Sequence, residues 1–441
     1  MIKAKKKTNK LLTLMIILLS FAVIIFLGAL LLSLPISQKV NLSFIDALFL
    51  STSAVCVTGL SPVIDVGATL TLFGEIVLAC LIEIGGLGIV TLVMFIAVLL
   101  GFKISVNQRV LLKEALNHNA IGGIIILLKK IVITTLIIQL FGSILNFISF
   151  YFIEGFPLLD SIGYSVFHSI SSFNNAGFDL FGSNSLIDFS NNILLNISTC
   201  LMIFCGGIGF IVIFDVLQNK KFKKLSLHSK IVITFTLILL IVSTLLIKLM
   251  NSNISWLQAI FLSFSTRTAG FTTVDLNTLS SASLLIIILL MFVGVAPSST
   301  GGGIKVTTFF TMLVSLKSFA RGDEQTNVFR RRIPSSQVKK SFILTTFSLF
   351  IIFITATIIL AIEQSNFELH KVIFEVFSAF STTGLTMGIT PSLSSISKLL
   401  LCFAMYFGRL GPITFISLLQ DNEVKVSIDT VKYVEEEIII G

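Results

Sequence analysis

Four short stretches of this chain bring glycine next to small and hydroxyl residues in the same way. They read "SAVCVTGL", "SSFNNAGF", "SFSTRTAGF" and "SAFSTTGL", and their glycines are Gly59, Gly177, Gly270 and Gly384. None offers a nucleophile with a base, or a set of metal-ligating side chains. What they offer is backbone: carbonyl oxygens that glycine's conformational freedom lets a chain turn toward one axis. Such carbonyls can replace the water around a monovalent cation. A fifth stretch, "GVAPSSTGGGIKVTT" at 294–308, has three consecutive glycines, hydroxyls and Lys305. Taken alone it looks like a phosphate-cradling loop, yet it lies between the apolar runs "SLLIIILLMFV" and "FFTMLVSL".

The four glycines end four related runs, at 44–60, 158–178, 254–271 and 367–385. Ten residues before the glycine stands Phe49, Phe167 or Phe374, and six before it stands Ser53, Ser171 or Ser378. The third run carries the same pair one position closer, as Phe261 and Ser265. The glycines are 118, 93 and 114 residues apart, so one chain carries four copies of one unit. Each run has only 12–15 residues before its motif. That is too short to cross a bilayer, so these segments are expected to be re-entrant pore helices, whose irregular ends must line water or be buried in protein. Acids near three of the starts, Asp46, Asp160 and Glu368, suit a helix N-terminus. The partially negative C-termini then point at a shared centre, which suits a cation.

The elements that position these motifs are membrane spans. The chain is 55% hydrophobic and 12% charged, with a mean hydropathy of +1.01. Soluble domains carry about 25% charged residues, so the solvent here is lipid. Long apolar runs recur at 11–34, 76–100, 131–153, 231–247, 282–293 with 304–316, 342–362 and 399–419. They are too long and too poorly alternating for barrel strands. The net charge of +9 falls in clusters at 3–10, 103–130, 220–230 and 317–340, while the alternate connections carry Asp65, Glu154, Asp160, Asp179, Asp188 and Asp275. This positive-inside pattern puts both termini in the cytoplasm and assigns the basic clusters to anionic membrane lipid rather than nucleic acid. The first run is too long for a signal peptide's apolar core and no small-residue cleavage site follows it. The five cysteines form no CxxC pair and indicate neither metal nor disulfide.

Each repeat thus reads as span, pore helix, span. The boundaries are 1–101, 102–219, 220–322 and 323–420, with a cytoplasmic tail at 421–441. After each filter motif the second span carries another glycine cluster: "EIGGLG" (83–88), "CGGIG" (205–209), "STGGGIK" (299–305) and "FGRLG" (407–411). In the first two, small residues for close helix packing are a sufficient reading. The third and fourth add Lys305 and Arg409, and a charge at that depth costs at least ~2.5–3.5 kcal/mol, which marks a functional candidate. The third repeat has extra chain there, as expected if its second span is broken at 294–306. Lys305 either serves the electrostatics of an ion path or tethers the loop. Arg267, inside the third motif, either braces the filter from behind or pairs with an acid on a neighbouring pore helix, such as Glu375. Glu75 and Glu83 share a helix face and could hold an ion, or pair with Lys305 or another helix. His118, His168, His228 and His370 are scattered and read as structural. There is no GxxxxGK[ST], HExxH or acidic pair of an enzyme. A different ion-coupled carrier with broken helices would have inverted repeats and aim helix N-termini at its substrate; four parallel repeats with C-termini inward favour a cation path.

These motifs, with "GGGIKVTT" and "GRLGPIT", resemble the Trk/Ktr/HKT superfamily of cation transporters over nearly the whole chain. The short chain and the tail "KYVEEEIIIG" look most like the membrane subunits of bacterial Ktr potassium uptake systems. The resemblance implies an all-α membrane fold that imitates a tetrameric potassium channel in one chain, in a bacterial plasma membrane. It implies a selectivity filter from Val57, Thr58 and Gly59; Asn175, Ala176 and Gly177; Thr268, Ala269 and Gly270; and Thr382, Thr383 and Gly384. It implies an intramembrane gate at Pro297, Ser298, Ser299, Thr300, Gly301, Gly302, Gly303 and Lys305, with Arg409 pointing toward the ion path. In the plant branch a serine replacing the first filter glycine goes with sodium preference, so Gly59 favours potassium. All four loops depart from the channel string "TVGYG", which implies a looser filter; a sodium-selective or weakly selective transporter of the same architecture is the alternative. The resemblance further implies a homodimer on a cytoplasmic RCK-type ring that binds ATP, ADP or NAD. Potassium is the substrate, sodium is co-ion or activator in a symport-like process, and this chain itself binds no cofactor.

Overall fold

The computed structural model describes residues 2–116, 122–182, 184–364, 366–412 and 414. The proposed tail at 421–441 and His118 lie outside them. Within them the chain is helical apart from loops and one small hairpin, Asn327–Val328 with Arg331–Arg332, on the third basic connection.

Among the described residues, four helices are long and apolar enough to cross a membrane: Leu12–Leu32, Ile124–Ile153, Leu227–Met250 and Ser335–Glu363. They are the first spans of the four repeats. Their outward faces carry exposed Leu19, Phe26, Ile137, Leu140, Ile241 and Phe350. An apolar surface of this kind is stable only against acyl chains.

Behind them lie the pore helices Phe44–Cys56, Leu158–Phe173, Trp256–Ser265 and Leu369–Ser381. Their starts are written in the sequence. Ser43 caps the first and accepts from the Asp46 amide, and Ser255 with Gln258 forms a capping box on the third. The motif phenylalanines Phe49, Phe261 and Phe374 are fully buried, and Phe167 nearly so. They anchor each short helix in the protein core, which compensates for its failure to cross the membrane.

The second spans differ from the sequence expectation. Only the third was read as broken, yet the first and second also break. Leu72–Leu87 meets Ile89–Leu99 at 97°, and Ile193–Gly207 meets Phe210–Asn219 at 93°. The corners are Gly88 and Gly209, with φ of 84° and 88°. An L-residue resists that backbone, so the last glycine of each cluster is a corner as well as a packing residue. The packing reading holds for the glycines before it. A Cβ on Gly85, Gly206 or Gly408 would strike the carbonyl of Val55, Phe173 or Phe380, each four residues before a filter glycine. Each of these spans therefore presses directly under a pore-helix end.

Candidate functional site

The four glycine motifs converge. Two residues before each glycine the backbone turns left-handed, at Val57 (φ 58°), Asn175 (57°), Thr268 (65°) and Thr382 (52°). The glycines follow with φ of 96°, 70°, 82° and 89°. Four strands thus share one unusual backbone, three of whose left-handed residues have side chains that ordinarily avoid it.

The glycines then meet in a ring. A Cβ on Gly59 would lie 2.5 Å from the Ala176 carbonyl oxygen, and one on Gly177 would lie 2.7 Å from that of Ala269. One on Gly270 would strike the Thr383 carbonyl, and one on Gly384 that of Thr58. Each glycine therefore abuts the carbonyl that precedes the next glycine, and the fourth returns to the first. Thr58, Ala176, Ala269, Thr382 and Thr383 are completely buried. The sequence placed these residues hundreds of positions apart, and the fold closes them into one cycle of backbone carbonyls.

Beneath the ring runs the segment 294–305. Its neck is closed by Gly294 N donating to Ile304 O (2.8 Å) and Val306 N to Val295 O (3.1 Å). One flank docks on the second repeat: Ala296 N donates to Gly207 O (3.0 Å), Thr300 N to Gly206 O (3.2 Å) and the Thr300 hydroxyl to Phe173 O (3.1 Å). The other flank docks on the fourth: Gly302 N donates to Thr382 Oγ1 (3.0 Å) and Gly303 N to Gly408 O (3.2 Å). The segment crosses from one repeat to the opposite one, and a Cβ on Gly301 or Gly302 would strike the filter hydroxyls of Thr268 or Thr382. Ser298, at φ 56°, donates to the carbonyl of Leu116 (2.8 Å) in the first basic connection. Pro297 presents its carbonyl to Gly209, and Ser299 donates to Ala296 O (2.5 Å).

The charged candidates resolve differently. Arg409 spans the site: its guanidinium donates to Thr300 O in the crossing loop and to Gly85 O and Gly86 O at the first-repeat corner. Lys305 donates to Gly301 O (2.6 Å), so of its two readings the structure displays the tether. Arg267 is buried behind the third strand, reaching Thr236 Oγ1 (3.4 Å) and Gly294 O (3.5 Å). The Arg267–Glu375 pair is not formed. Glu375 accepts from Thr386 (2.5 Å) and from Thr390, bracing the chain just after the fourth filter glycine.

Of the readings of Glu75 and Glu83, the structure shows pairing with other elements. Glu75 faces Lys39 (3.9 Å), and Glu83 accepts from Gln139 (2.7 Å) and Asn174 (2.6 Å) rather than from Lys305. A helix face was the right inference, but two turns of helix separate the carboxylates. His168 is buried with Nε2 2.8 Å from Thr199 Oγ1. Thr300, Gly206 and Gly408 are docking partners that the sequence does not assign; their signal is the recurring glycine cluster, which reads as packing only in the first two repeats.

A ring of four left-handed strands on re-entrant helices, closed from below by a loop, defines a multi-pass membrane protein built to pass ions. Comparison with known proteins names the class. The model of the family TrkH, cation transport protein, matches residues 12–422, and the chain belongs to that family. It is 37% identical to Ktr system potassium uptake protein B of Bacillus subtilis (strain 168), over 97% of this chain and 96% of that one. It is 39% identical to the protein of the same name from Vibrio alginolyticus (97% and 94%), and 36% identical to potassium/sodium uptake protein NtpJ of Enterococcus hirae (99% of each). These relatives are transporters, not enzymes. The fold is similar to the crystal structure of the potassium transporter TrkH from Vibrio parahaemolyticus, with a TM-score of 0.71 at 20% identity, covering 92% of this chain and 84% of that one.

Proposed function

We propose that this chain takes up potassium through a channel-like path. The ring of Gly59, Gly177, Gly270 and Gly384 is the selectivity filter, and the crossing loop 297–305 is the gate. The observation that carries the reading is the closed cycle in which each glycine abuts the carbonyl before the next. In this reading backbone oxygens are the groups nearest the axis, and pore-helix C-termini add negative potential toward it. No side-chain charge is needed to attract the cation.

The loop and Arg409 act below. The loop obstructs the path by crossing between the second and fourth repeats. Arg409 adds a positive charge where a leaving cation must pass, while its hydrogen bonds hold the loop to the first repeat. Opening requires the loop to give up these bonds. The relatives named for potassium uptake support potassium as the substrate. One named for potassium and sodium supports a second reading, in which sodium also passes or acts as co-ion. The relatives' names as parts of a Ktr system support a partner subunit; a soluble nucleotide-binding ring on the basic cytoplasmic face, with this chain as a homodimer, is the finer reading that the family resemblance implies. The clusters of Lys and Arg support cytoplasmic termini in a bacterial plasma membrane.

The test is growth of a potassium-uptake-deficient strain at micromolar to millimolar potassium, with and without the full-length chain. Rescue supports the reading. A chain that reaches the membrane and neither rescues growth nor moves potassium in reconstituted vesicles overturns it.

A further inference from the structure

The fully buried motif serines do more than recur. Ser53 accepts at Oγ from the amide of Gly59 (3.1 Å), and Ser378 from that of Gly384 (3.0 Å). Ser171 accepts from the amide of Phe178 (3.0 Å), one residue beyond its glycine. Each also offers its backbone carbonyl to the residue before the glycine: Ser53 O to Thr58 N (2.8 Å), Ser171 O to Ala176 N (2.8 Å) and Ser378 O to Thr383 N (2.9 Å). One serine at the end of each pore helix thus grips its filter strand at two points.

The third repeat departs from this, and the sequence says why. Its serine stands five residues before the glycine instead of six, and the sixth position is Phe264, which has no hydrogen-bonding side chain. The backbone adapts: Ser265 O takes both Ala269 N (3.0 Å) and Gly270 N (3.3 Å). The hydroxyl is released and works in the opposite sense, donating to the carbonyl of Phe271. The third strand therefore has no side-chain acceptor on its glycine amide. It is also the strand whose Thr268 lies against Gly301 of the crossing loop, and whose Arg267 reaches the loop's neck at Gly294.

We infer that Ser53, Ser171 and Ser378 are positioning residues for cation discrimination, and that the third filter strand is the compliant one, coupled to the loop beneath it. The inference rests on the filter reading given above. Three strands are held from behind by serine hydroxyls, so their carbonyls keep a spacing that a smaller ion does not satisfy. In the third the serine hydroxyl holds the Phe271 carbonyl instead, so the glycine amide itself is held by backbone alone and can shift with the loop.

The experiment measures potassium and sodium uptake by the full-length chain in cells lacking other potassium uptake, for Ser53→Ala, Ser378→Ala, Ser171→Ala and Ser265→Ala. Cysteine variants at each position serve as near-isosteric, weaker acceptors, and Gly384→Ser as control. For Ser53→Ala and Ser378→Ala the potassium-over-sodium ratio is expected to fall about fivefold, the equilibrium weight of one buried hydrogen bond. Ser171→Ala falls less, and the cysteine variants lie between alanine and wild type. Ser265→Ala leaves the ratio within about twofold, because Gly270 keeps its backbone acceptor. Should an alanine variant fail to reach the membrane, its cysteine variant decides. If Gly384→Ser shifts the ratio and the Ser53 and Ser378 variants do not, the inference is overturned while the filter stands. If Ser265→Ala shifts it as much as Ser378→Ala, the compliant third strand is overturned. If Gly384→Ser itself leaves the ratio unchanged, the filter reading fails first.

Discussion

The ring of filter strands and the ring of broken helices beneath it are built from the same four repeats, yet they differ in symmetry. Above, all four strands share one backbone conformation and one glycine contact, passed around a closed cycle. Below, the first two second spans turn a right-angle corner at a single glycine, and the third opens into a loop of about twelve residues that lies across its neighbours. The contrast teaches what each level demands. A small ion at an axis is satisfied only by near-equivalent oxygens on all sides, so every repeat is held to the same geometry. An obstruction needs only one element that can move, so one repeat was free to diverge.

The largest test of that contrast is at the ring. Gly384→Ala would set a Cβ against the Thr58 carbonyl at a φ of 89°. A non-glycine residue there costs about 1–3 kcal/mol in backbone strain before any clash. The potassium-over-sodium uptake ratio should fall at least about tenfold, since 1.36 kcal/mol corresponds to tenfold. Alanine at Gly59, Gly177 or Gly270 should do the same, because the cycle has no privileged member. If one of the four glycines tolerates alanine with selectivity intact, the ring is not equivalent and the contrast weakens.

The next test is at the lower level. Deleting Ser299, Thr300 and Gly301 removes the docking of the loop on Gly206 and Phe173, and the carbonyl that Arg409 holds. Potassium flux should rise about fivefold, the net weight of about one hydrogen bond, with a smaller change in the selectivity ratio. A deletion that alters selectivity more than flux would show that the two levels are not separable.

How much of this was legible beforehand follows the same division. The repeats, the short re-entrant helices and the four motif glycines follow from spacing, because a motif copied four times announces itself. Gly88 and Gly209 were not read as corners, because a glycine that bends a helix and one that packs against it look alike in sequence; only the backbone angle separates them. Arg267 and Glu375 suggest themselves as partners because Glu375, nine residues before Gly384, lies within the neighbouring pore helix. The fold instead turns each toward backbone or hydroxyl groups of its own repeat, and that choice depends on side-chain direction, which no spacing encodes. The recurring glycine cluster marks Gly408 and the "STGGG" stretch marks Thr300, but neither shows that they dock the loop, because those bonds run largely through backbone groups.

A smaller effect is expected at Arg409. Replacing it with glutamine removes the charge and keeps two amide N–H donors, on a shorter side chain, for at most two of the Thr300, Gly85 and Gly86 carbonyls. If the charge rather than the tie limits flux, Arg409→Gln should raise potassium uptake about threefold to fivefold, a change of roughly 1 kcal/mol. Arg409→Lys should leave it near wild type. Equal rises in both variants would assign the effect to lost hydrogen bonds, making Arg409 a latch like those of the loop itself.

The smallest effect tests whether the rings are held together independently of transport. Lys398, near the outer end of the last second span, pairs with Asp46 of the first pore helix at 2.7 Å, joining the fourth repeat to the first. Both groups are partly shielded, and Ser43 also donates to Asp46 (2.7 Å), so the carboxylate keeps a partner when the lysine is lost. Lys398→Met should therefore lower stability by only about 1 kcal/mol, at the upper end for ion pairs in contact with solvent. A double-mutant cycle with Asp46→Ala, read from thermal unfolding in detergent, should return a coupling of the same size. The uptake ratio should not move, because the filter strands keep their own hydrogen bonds and their glycine contacts. A shift in the ratio without a shift in stability would mean that ring closure from outside sets the spacing of the carbonyls, and the symmetry of the filter would then rest on this pair as much as on the glycines.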